Sequence, residues 1–304
     1  MRSGLIACAL SVVAVAAAAG QTAPAADTAR AVDNAGVRRG LRFGVAIGAL
    51  QYDGGRSEQS VGAVVRWAPV RFFSLSASPT IARQQMNGPT SGGITSTASR
   101  TGLTDLPITA TLSHVLRGVH TPVLIGSLGM TVPVGDTAGG FGAGAAGYSV
   151  SVGAGVSPTE ATWINAGVGH ALSGFGARSA FTAGSNWIDV GGGRTLTDRV
   201  SVDAAYSTDV GTAVGTTGRS SSLGAGMDFE LTRDLSINLA MTRGLSGVAP
   251  AWSMSLGFGS AFPSLGHAAG GLSGGTLGQS FGGGTHGLTK PGTSTGKGSG
   301  RKGG

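Results

Sequence analysis

Apolar residues alternate with small or polar residues along many short segments between Leu41 and Phe262. In the segment 235–242 the odd positions are apolar and the even positions are small or polar, and 222–231 repeats this pattern with charged residues on even positions. A period of two places successive side chains on opposite faces of a β-strand, so we predict a chain built from strands. Soluble sheets alternate in the same way. The number of these segments and the spacing between them must therefore decide the fold class.

The composition indicates a protein with little need for a charged surface. Only 12% of the 304 residues are charged and 40% are hydrophobic, whereas ordinary soluble domains have about 25% charged residues. Low charge and 57 glycines fit either a disordered chain or a protein whose exterior faces lipid, and the regular alternation favours lipid. Beyond the first 25 residues no apolar run reaches 18 residues, which excludes membrane-spanning helices.

Twelve segments carry the alternating pattern, and most have about ten residues, the length that a tilted strand needs to cross a bilayer. The predicted strands are 41–51, 59–68, 71–82, 103–114, 121–132, 146–157, 161–172, 185–195, 199–208, 220–232, 234–244 and 251–262.

The connections between these strands alternate in length. Tight turns are predicted at 68–70, 116–119, 157–160, 196–198 and 232–233, and long loops at 84–102, 133–147, 173–184 and 209–218. Short turns at the periplasmic end and long loops at the outer end are typical of outer-membrane barrels. Lipid cannot satisfy backbone N–H and C=O groups, so a spanning sheet must close on itself. We therefore predict an all-β fold, a closed antiparallel transmembrane β-barrel of about twelve strands.

Aromatic residues are expected in two belts where the barrel meets the lipid headgroups. The predicted strand ends place Phe43, Trp67, Phe72, Trp163, Phe229 and Phe262 in the periplasmic belt, and Tyr52, Tyr148, Trp187, Tyr206 and Trp252 in the outer belt. Trp163 and Trp187 are out of phase with their apolar neighbours. The last predicted strand ends at Phe262 and resembles the aromatic-terminated strand that bacterial barrel-assembly machinery recognises, although here the chain continues to Gly304.

The two ends of the chain differ from the strand region. Met1–Arg2 is a positive start, Leu5–Ala19 is apolar, and small residues follow through Ala25, which is typical of a signal peptide. The apolar run is too short for a membrane anchor. We predict a signal peptide at 1–25, a flexible lead at 26–40, the barrel at 41–262 and a disordered glycine-rich basic tail at 263–304. The only cysteine, Cys8, lies within the predicted signal, so no disulfide is expected.

The sequence motifs give little support for catalysis. Gly142–Gly147 matches the spacing of a dinucleotide-binding fingerprint, but a predicted strand follows it where that site needs a helix. A lipid hydrolase would need a Ser and a His on one face of a strand, and the nearest candidates, His170 and Ser173, fall on opposite faces. The histidines are scattered. We predict no enzymatic activity, no cofactor and no metal site.

The net charge of +7 does not indicate nucleic-acid binding. Four positive charges lie in the tail, at Lys290, Lys297, Arg301 and Lys302, without the interleaved aromatic residues that nucleic-acid binding favours. Contact with anionic lipopolysaccharide or peptidoglycan explains them more simply.

The functional surface of a barrel is its lumen, and the face opposite the apolar one supplies the candidates. The charged and amide candidates are Arg42, Arg66, Asn165, Asp189, Asp203, Asp228, Glu230 and Asn238, accompanied by Thr109, Thr111, Ser149, Ser151, Ser253 and Ser255. Both signs of charge occur, so no strong charge selectivity is expected. Alternatively, Arg42, Arg66, Asp228 and Glu230 pair across the lumen and close it.

Several segments resemble a family of Gram-negative outer-membrane barrels associated with phenol-degradation operons. The resemblance covers about 101–262 and depends on 101–105, 132–136, 187–199 and 231–236. It implies a barrel that takes up small molecules, including aromatic or hydrophobic ones, and it implies no catalytic residue. The expected partners are outer-membrane lipid and lipopolysaccharide, the barrel-assembly machinery and a small-molecule solute.

Two functional hypotheses remain open at this point. The first is a passive outer-membrane channel or transporter for small molecules. The second is a closed structural barrel whose loops and tail bind polymers of the cell envelope.

We expect the protein to fractionate with the outer membrane and to migrate differently on a gel when it is not heated, because closed barrels resist detergent until they are boiled. Recovery as a detergent-free, water-soluble monomer would contradict the barrel prediction.

Overall fold

The computed structural model describes residues 39–262 apart from 54, 92–93, 117–121, 160, 176–181, 211–220, 233 and 247–249. The predicted signal peptide, most of the predicted lead and the predicted tail lie outside these residues. Within them no helix is long and apolar enough to cross a membrane.

The described residues form fourteen strand segments in one antiparallel sheet. These are β1 (Gly40–Gln51), β2 (Ser57–Val70), β3 (Phe73–Ala77), β4 (Thr80–Ser91), β5 (Ile94–Leu103), β6 (Leu106–Val115), β7 (Val123–Val132), β8 (Ala146–Thr159), β9 (Thr162–Phe175), β10 (Thr182–Thr197), β11 (Val200–Val210), β12 (Ser221–Thr232), β13 (Leu235–Gly244) and β14 (Trp252–Gly259).

The fourteen segments make twelve barrel strands, because two strands are interrupted. Both β3 and β4 pair with β2, and the next strand is divided in the same way into β5, which pairs with β4, and β6, which pairs with β3. Pro79 lies in the first interruption and has no N–H to donate to a neighbouring strand. The two interruptions lie side by side, and the N–H groups of Ser78 and Thr104 bond to the carbonyl oxygens of Pro107 (3.2 Å) and Thr80 (2.9 Å).

The sheet closes because its first and last strands pair. β1 pairs with β2 on one side and with β14 on the other, where the register runs from Gly44 opposite Gly259 to Gln51 opposite Trp252. The predicted fold, a closed antiparallel barrel of twelve strands, is confirmed. We call the end of the barrel that carries the turns 71–72 and 198–199 the turn end, and the opposite end the loop end.

The outer face of the barrel is apolar. At least 31 large apolar side chains are exposed among the described residues, far more than a soluble monomer of this size presents in one continuous surface. On β10 the outward residues are polar at Asn186 and Arg194 and mostly apolar between them. Eight residues at about 3.4 Å each and a tilt of about 40° give a band of roughly 21 Å, close to the thickness expected for a lipid-facing band.

Most predicted belt aromatics lie on this outer face. At the turn end Phe43, Trp67, Phe72 and Phe229 are exposed, and at the loop end Tyr148 and Tyr206 are exposed. Trp252 lies on the outward face beside them, and Tyr52 stacks with Arg56, whose guanidinium carbon lies 4.8 Å from the ring centroid.

Three of the predicted belt positions are wrong. Trp163 and Trp187 face the lumen, because each is paired across β9 and β10 with an inward glycine. Phe262 is also inside the barrel, and β14 ends three residues before it, at Gly259.

The loop predicted at 84–102 is also wrong, since most of it forms the β4–β5 hairpin. At the edge of the apolar band nearest the loop end, the outward residues of β4 and β5 change from Ile81 and Leu103 to Arg83 and Thr101. Beyond that edge both faces of a hairpin can meet water, so the sequence does not need to alternate between apolar and polar residues.

Inward glycines on β9 and β10 make room for the two tryptophans. The Trp163 indole lies over Gly193, and the Trp187 indole lies over Gly169, so each strand supplies one ring and one glycine to its neighbour. A Cβ at either glycine would collide with the ring. This reciprocal packing fixes the register of the β9–β10 pair.

We expect Gly193→Ala to lower the free energy of unfolding by about 1–3 kcal/mol, because the added methyl group must displace the Trp163 ring or the Val202 carbonyl. The matched control is Gly126→Ala, an outward glycine with open space around it, which should change stability little. Urea titration of the refolded barrel in lipid vesicles measures both. Equal stability of the two variants would contradict this packing.

Candidate functional site

All eight charged or amide candidates lie on strands of the barrel, on the face opposite the exposed apolar residues. The register places Arg42 opposite Arg66 and Asp228 opposite Asn238, so each pair shares the inner face of two adjacent strands. Arg42 and Arg66 lie near the turn end, while Asn165, Asp189 and Asp203 lie on β9, β10 and β11.

The two arginines at the turn end are bonded to the barrel wall. Like charges directly opposite each other on a sheet repel, so each needs a partner of its own. The Arg42 guanidinium donates to the carbonyl oxygen of Ser260 (3.2 Å) and lies 3.7 Å from the carboxylate of Asp234. Arg66 donates to the hydroxyl of Ser74 (3.2 Å). Asp234 and Ser74 are partners that sequence analysis did not identify.

Asp228 and Asn238 form a buried polar pair. The amide of Asn238 donates to the Asp228 carboxylate over 2.7 Å, and Asp228 is only 1% exposed. A hydrogen bond shielded from water in this way is stronger than one at the surface. This pair fixes adjacent strands β12 and β13 from the inside.

Asn165, Asp189 and Asp203 lie on a wall whose other inward residues are mostly small ones such as glycine, alanine and serine. The side-chain oxygen of Asn165 lies close over Gly191, 3.2 Å from where a Cβ would be if that residue had one. The Asp203 carboxylate lies directly over Gly226. Trp187 lies two residues before Asp189 on the same inner face of β10. Within the described part of the chain, the Asn165 amide nitrogen and one oxygen each of Asp189 and Asp203 are buried without a hydrogen-bond partner. Water in the lumen can satisfy such atoms.

A different inner surface covers β6, β7 and β8. Most of its inward residues are small, carry a hydroxyl group or no side chain, and are partly exposed, while Val123 and Ile125 on β7 are the larger apolar ones. The small residues are Thr109, Thr111, Ser113, Ser127, Gly129, Ser149, Ser151 and Gly153. The hydroxyls of Thr111 and Ser127 are hydrogen-bonded across strands (3.4 Å). We call these residues the hydroxyl wall. It has no charged residue, so its chemistry differs from that of the eight candidates.

The last described residues turn into the lumen. Ser260, Ala261 and Phe262 follow β14, and Phe262 is 4% exposed in a cluster with Ala46, Val64 and Ala261. The prediction that Phe262 ends the last strand facing lipid is wrong. Phe258 is the last aromatic residue on the outer face of β14, and it is 45% exposed.

One long loop is folded against the wall at the loop end. The Asp105 carboxylate, in the interruption between β5 and β6, accepts the N–H groups of Gly135 (2.9 Å) and Ala143 (2.7 Å). The N–H of Asp136 bonds to the carbonyl oxygen of Leu103 (3.0 Å). The segments 101–105 and 132–136, which carry much of the family resemblance, are therefore in contact.

The glycine run at 142–147 belongs to this loop and to the start of β8, so the residues after it form a strand, as predicted. His170 lies on the outer face, where its Nδ1 is 2.8 Å from the side-chain oxygen of Asn186. The side chain of Ser173 lies outside the described residues. In the described segments no group of three His, Cys, Asp or Glu residues could hold a metal ion.

Comparisons with known proteins identify the fold. No protein-family profile matches the chain, and no curated protein matches it. Among solved structures, the COG4313 outer membrane channel from Pseudomonas putida F1 is 14% identical, with a TM-score of 0.53 over 79% of this chain and 99% of that one. The KdgM porin is 7% identical (TM-score 0.48, 72% and 99% covered), and the NanC porin is 8% identical (TM-score 0.48, 71% and 97% covered). The likeness to the first of these structures shows a shared barrel fold.

We expect Asp105→Asn to release the loop 133–145, because an amide can no longer accept both backbone N–H groups. Loss of one charge-assisted bond, about 1.4 kcal/mol or more, should make hydrogen exchange in peptides covering 133–145 about tenfold faster. Asp198→Asn, in an exposed turn at the other end, is the control. Unchanged exchange would show that Asp105 does not hold the loop.

Proposed function

We propose that this protein is an outer-membrane channel through which small solutes pass passively. The observation that carries the proposal is the hydroxyl wall, an inner surface of small hydroxyl and glycine residues that remains partly exposed along β6–β8. The apolar band outside and the polar surface inside are the two faces that such a channel requires. The fold shared with a channel of the same architecture supports this reading.

We further propose that the protein is exported through the predicted signal peptide at 1–25 and inserted by the barrel-assembly machinery. Phe258 supplies an outward aromatic residue near the end of the last strand. In the outer membrane the apolar band would contact lipid, and the exposed loops would contact lipopolysaccharide.

The hydroxyl wall favours small, uncharged solutes. Hydroxyl groups donate and accept hydrogen bonds without a net charge, and the side chains that carry them here are short. The resemblance to barrels of phenol-degradation operons points to small aromatic or hydrophobic molecules. We assign the eight charged and amide candidates a separate role, lining the more closely packed side of the lumen, where they limit its width.

The alternative is a closed structural barrel that binds envelope polymers. One observation favours it: Trp163, Phe262 and the Asp228–Asn238 pair are all almost completely buried, although they face inward. These side chains therefore fill part of the cross-section of the lumen. For solutes to cross the barrel, a continuous passage must run along the hydroxyl wall, past these buried side chains.

Swelling of liposomes that contain the protein, with uncharged solutes of graded size, tests the channel. We expect swelling with the smallest solutes and a several-fold slower rate in Ser127→Trp, since the indole would fill the space beside the hydroxyl wall. The matched control is the next residue: Leu128→Trp faces lipid, where Leu128 is 63% exposed, and should leave the rate unchanged. A folded protein that permits no swelling would refute the channel and favour the structural barrel.

A further inference from the structure

After β14 ends, the chain turns to the inner side of the barrel wall and stays in contact with it. Gly259, the last residue of β14, has φ +145°, a conformation that favours glycine. A Cβ at this position would also lie 2.5 Å from the carbonyl oxygen of Phe43 on β1. The turn into the lumen at this point therefore requires glycine, and it carries Ser260, Ala261 and Phe262 to the inner side of the wall.

Hydrogen bonds from two strands hold these three residues in place. The N–H groups of Ser260 and Ala261 both donate to the carbonyl oxygen of Phe43 (2.8 and 3.1 Å). Arg42 donates to the carbonyl oxygen of Ser260, and the hydroxyl of Ser236 on β13 donates to that of Phe262 (3.1 Å). The segment is thus tied to β1 and β13, the strands on either side of β14.

The Phe262 ring packs against two glycines of the barrel wall. A Cβ at Gly44 would lie 2.5 Å from the ring, and one at Gly257 would lie 2.9 Å from it, so both glycines leave the space that the ring occupies. Ala46 and Val64 complete the apolar contact. A ring lying against the wall of an open lumen would keep one face in water. At 4% exposure, the ring is covered on both faces.

Inward residues on β13, β12 and β11, the next strands around the barrel from β14, are buried as well. Ser236, Asn238, Asp228 and Ser201 are each 5% exposed or less. By contrast, Thr111, Ser127 and Ser151 on the hydroxyl wall keep part of their surface in water. The inner surface is therefore closely packed on the side of β1 and β11–β14 and stays partly exposed along the hydroxyl wall on β6–β8.

We infer that Ser260–Phe262 forms the narrowing of the lumen at the turn end and that Phe262 limits the size of the solutes that pass. The inference rests on the proposed channel function and adds the residue that controls it. Ser260 and Ala261 bring the segment to its position, and the Phe262 ring is the group that occupies the passage.

The first test is transport by Phe262→Ala, with Phe229→Ala as a matched control that removes the same side chain from the outer face, where Phe229 is exposed. Removal of the inner ring should raise single-channel conductance in planar bilayers at least about twofold and admit larger solutes in liposome swelling. Phe229→Ala should conduct like the unmodified protein. A gel shift without heating verifies that each variant is folded, and Phe262→Leu, which keeps most of the apolar contact, should give an intermediate conductance.

The second test does not depend on transport. In a Cys8→Ser background, which removes the only native cysteine, Ala46→Cys places a thiol beneath the Phe262 ring. A water-soluble thiol reagent should label it slowly, and at least about tenfold faster when Phe262→Ala is added. Ser127→Cys on the hydroxyl wall should label at the same rate in both backgrounds. If Ala46→Cys does not fold, Val64→Cys in the same cluster replaces it.

The two tests separate the inference from the proposed function. Unchanged labelling of the buried thiol overturns the narrowing, whatever the protein conducts. Faster labelling without a change in a measurable conductance overturns the control of solute size by Phe262. If neither the unmodified protein nor Phe262→Ala conducts, the channel proposal fails and with it the role of Phe262 in transport, while faster labelling would still locate the ring in the lumen.

Discussion

Hydrocarbon offers no hydrogen-bond partner to a peptide group, and every other feature of this barrel depends on meeting that constraint. The pairing of β1 with β14 removes the free edges that a twelve-stranded sheet would otherwise expose to lipid. Even the two interruptions in the wall follow the same rule. Pro79 has no N–H to satisfy, and Thr104 donates to the carbonyl oxygen of Thr80 across the gap. A local break in the strand pattern is tolerated because it leaves these backbone groups bonded.

The outer and inner faces use different means to stabilise the sheet. Outside, large apolar side chains simply meet lipid. Inside, aromatic rings from one strand lie over glycines of the next, as Trp163 does over Gly193 and Phe262 does over Gly44 and Gly257. Glycine in a strand is intrinsically destabilising, but here the ring replaces the missing side-chain contacts of its neighbour. These contacts explain why glycine occupies particular inward positions of the strands, such as Gly44, Gly169, Gly193 and Gly257.

The sequence predicts the barrel well and its interior less well. Period-two alternation defines strands wherever one face meets lipid, and it also assigns the inner face of residues such as Asp228. It fails for the β4–β5 hairpin, where the selective pressure for one apolar face is absent. The out-of-phase positions of Trp163 and Trp187 were a usable signal of inward rings. The position of Phe262 and the bond of Arg42 to Asp234 depend on the register between segments distant in sequence. The bond of Arg66 to Ser74 depends on the register of the β2–β3 hairpin. Alternation within one strand contains neither register.

Closed barrels are vulnerable at the seam where the two ends of the chain meet, since that pairing joins the segments most distant in sequence. Here the three residues after β14 bridge from β1 to β13 and so cross the strand that closes the seam. Separating β1 from β14 would break the backbone hydrogen bonds between these two strands. It would also remove the Phe262 ring from its contacts with Gly44 and Gly257. Ser260–Phe262 thus both narrow the lumen and hold β1, β14 and β13 together. A substitution that widens the lumen at these residues should therefore also make the barrel easier to open between β1 and β14.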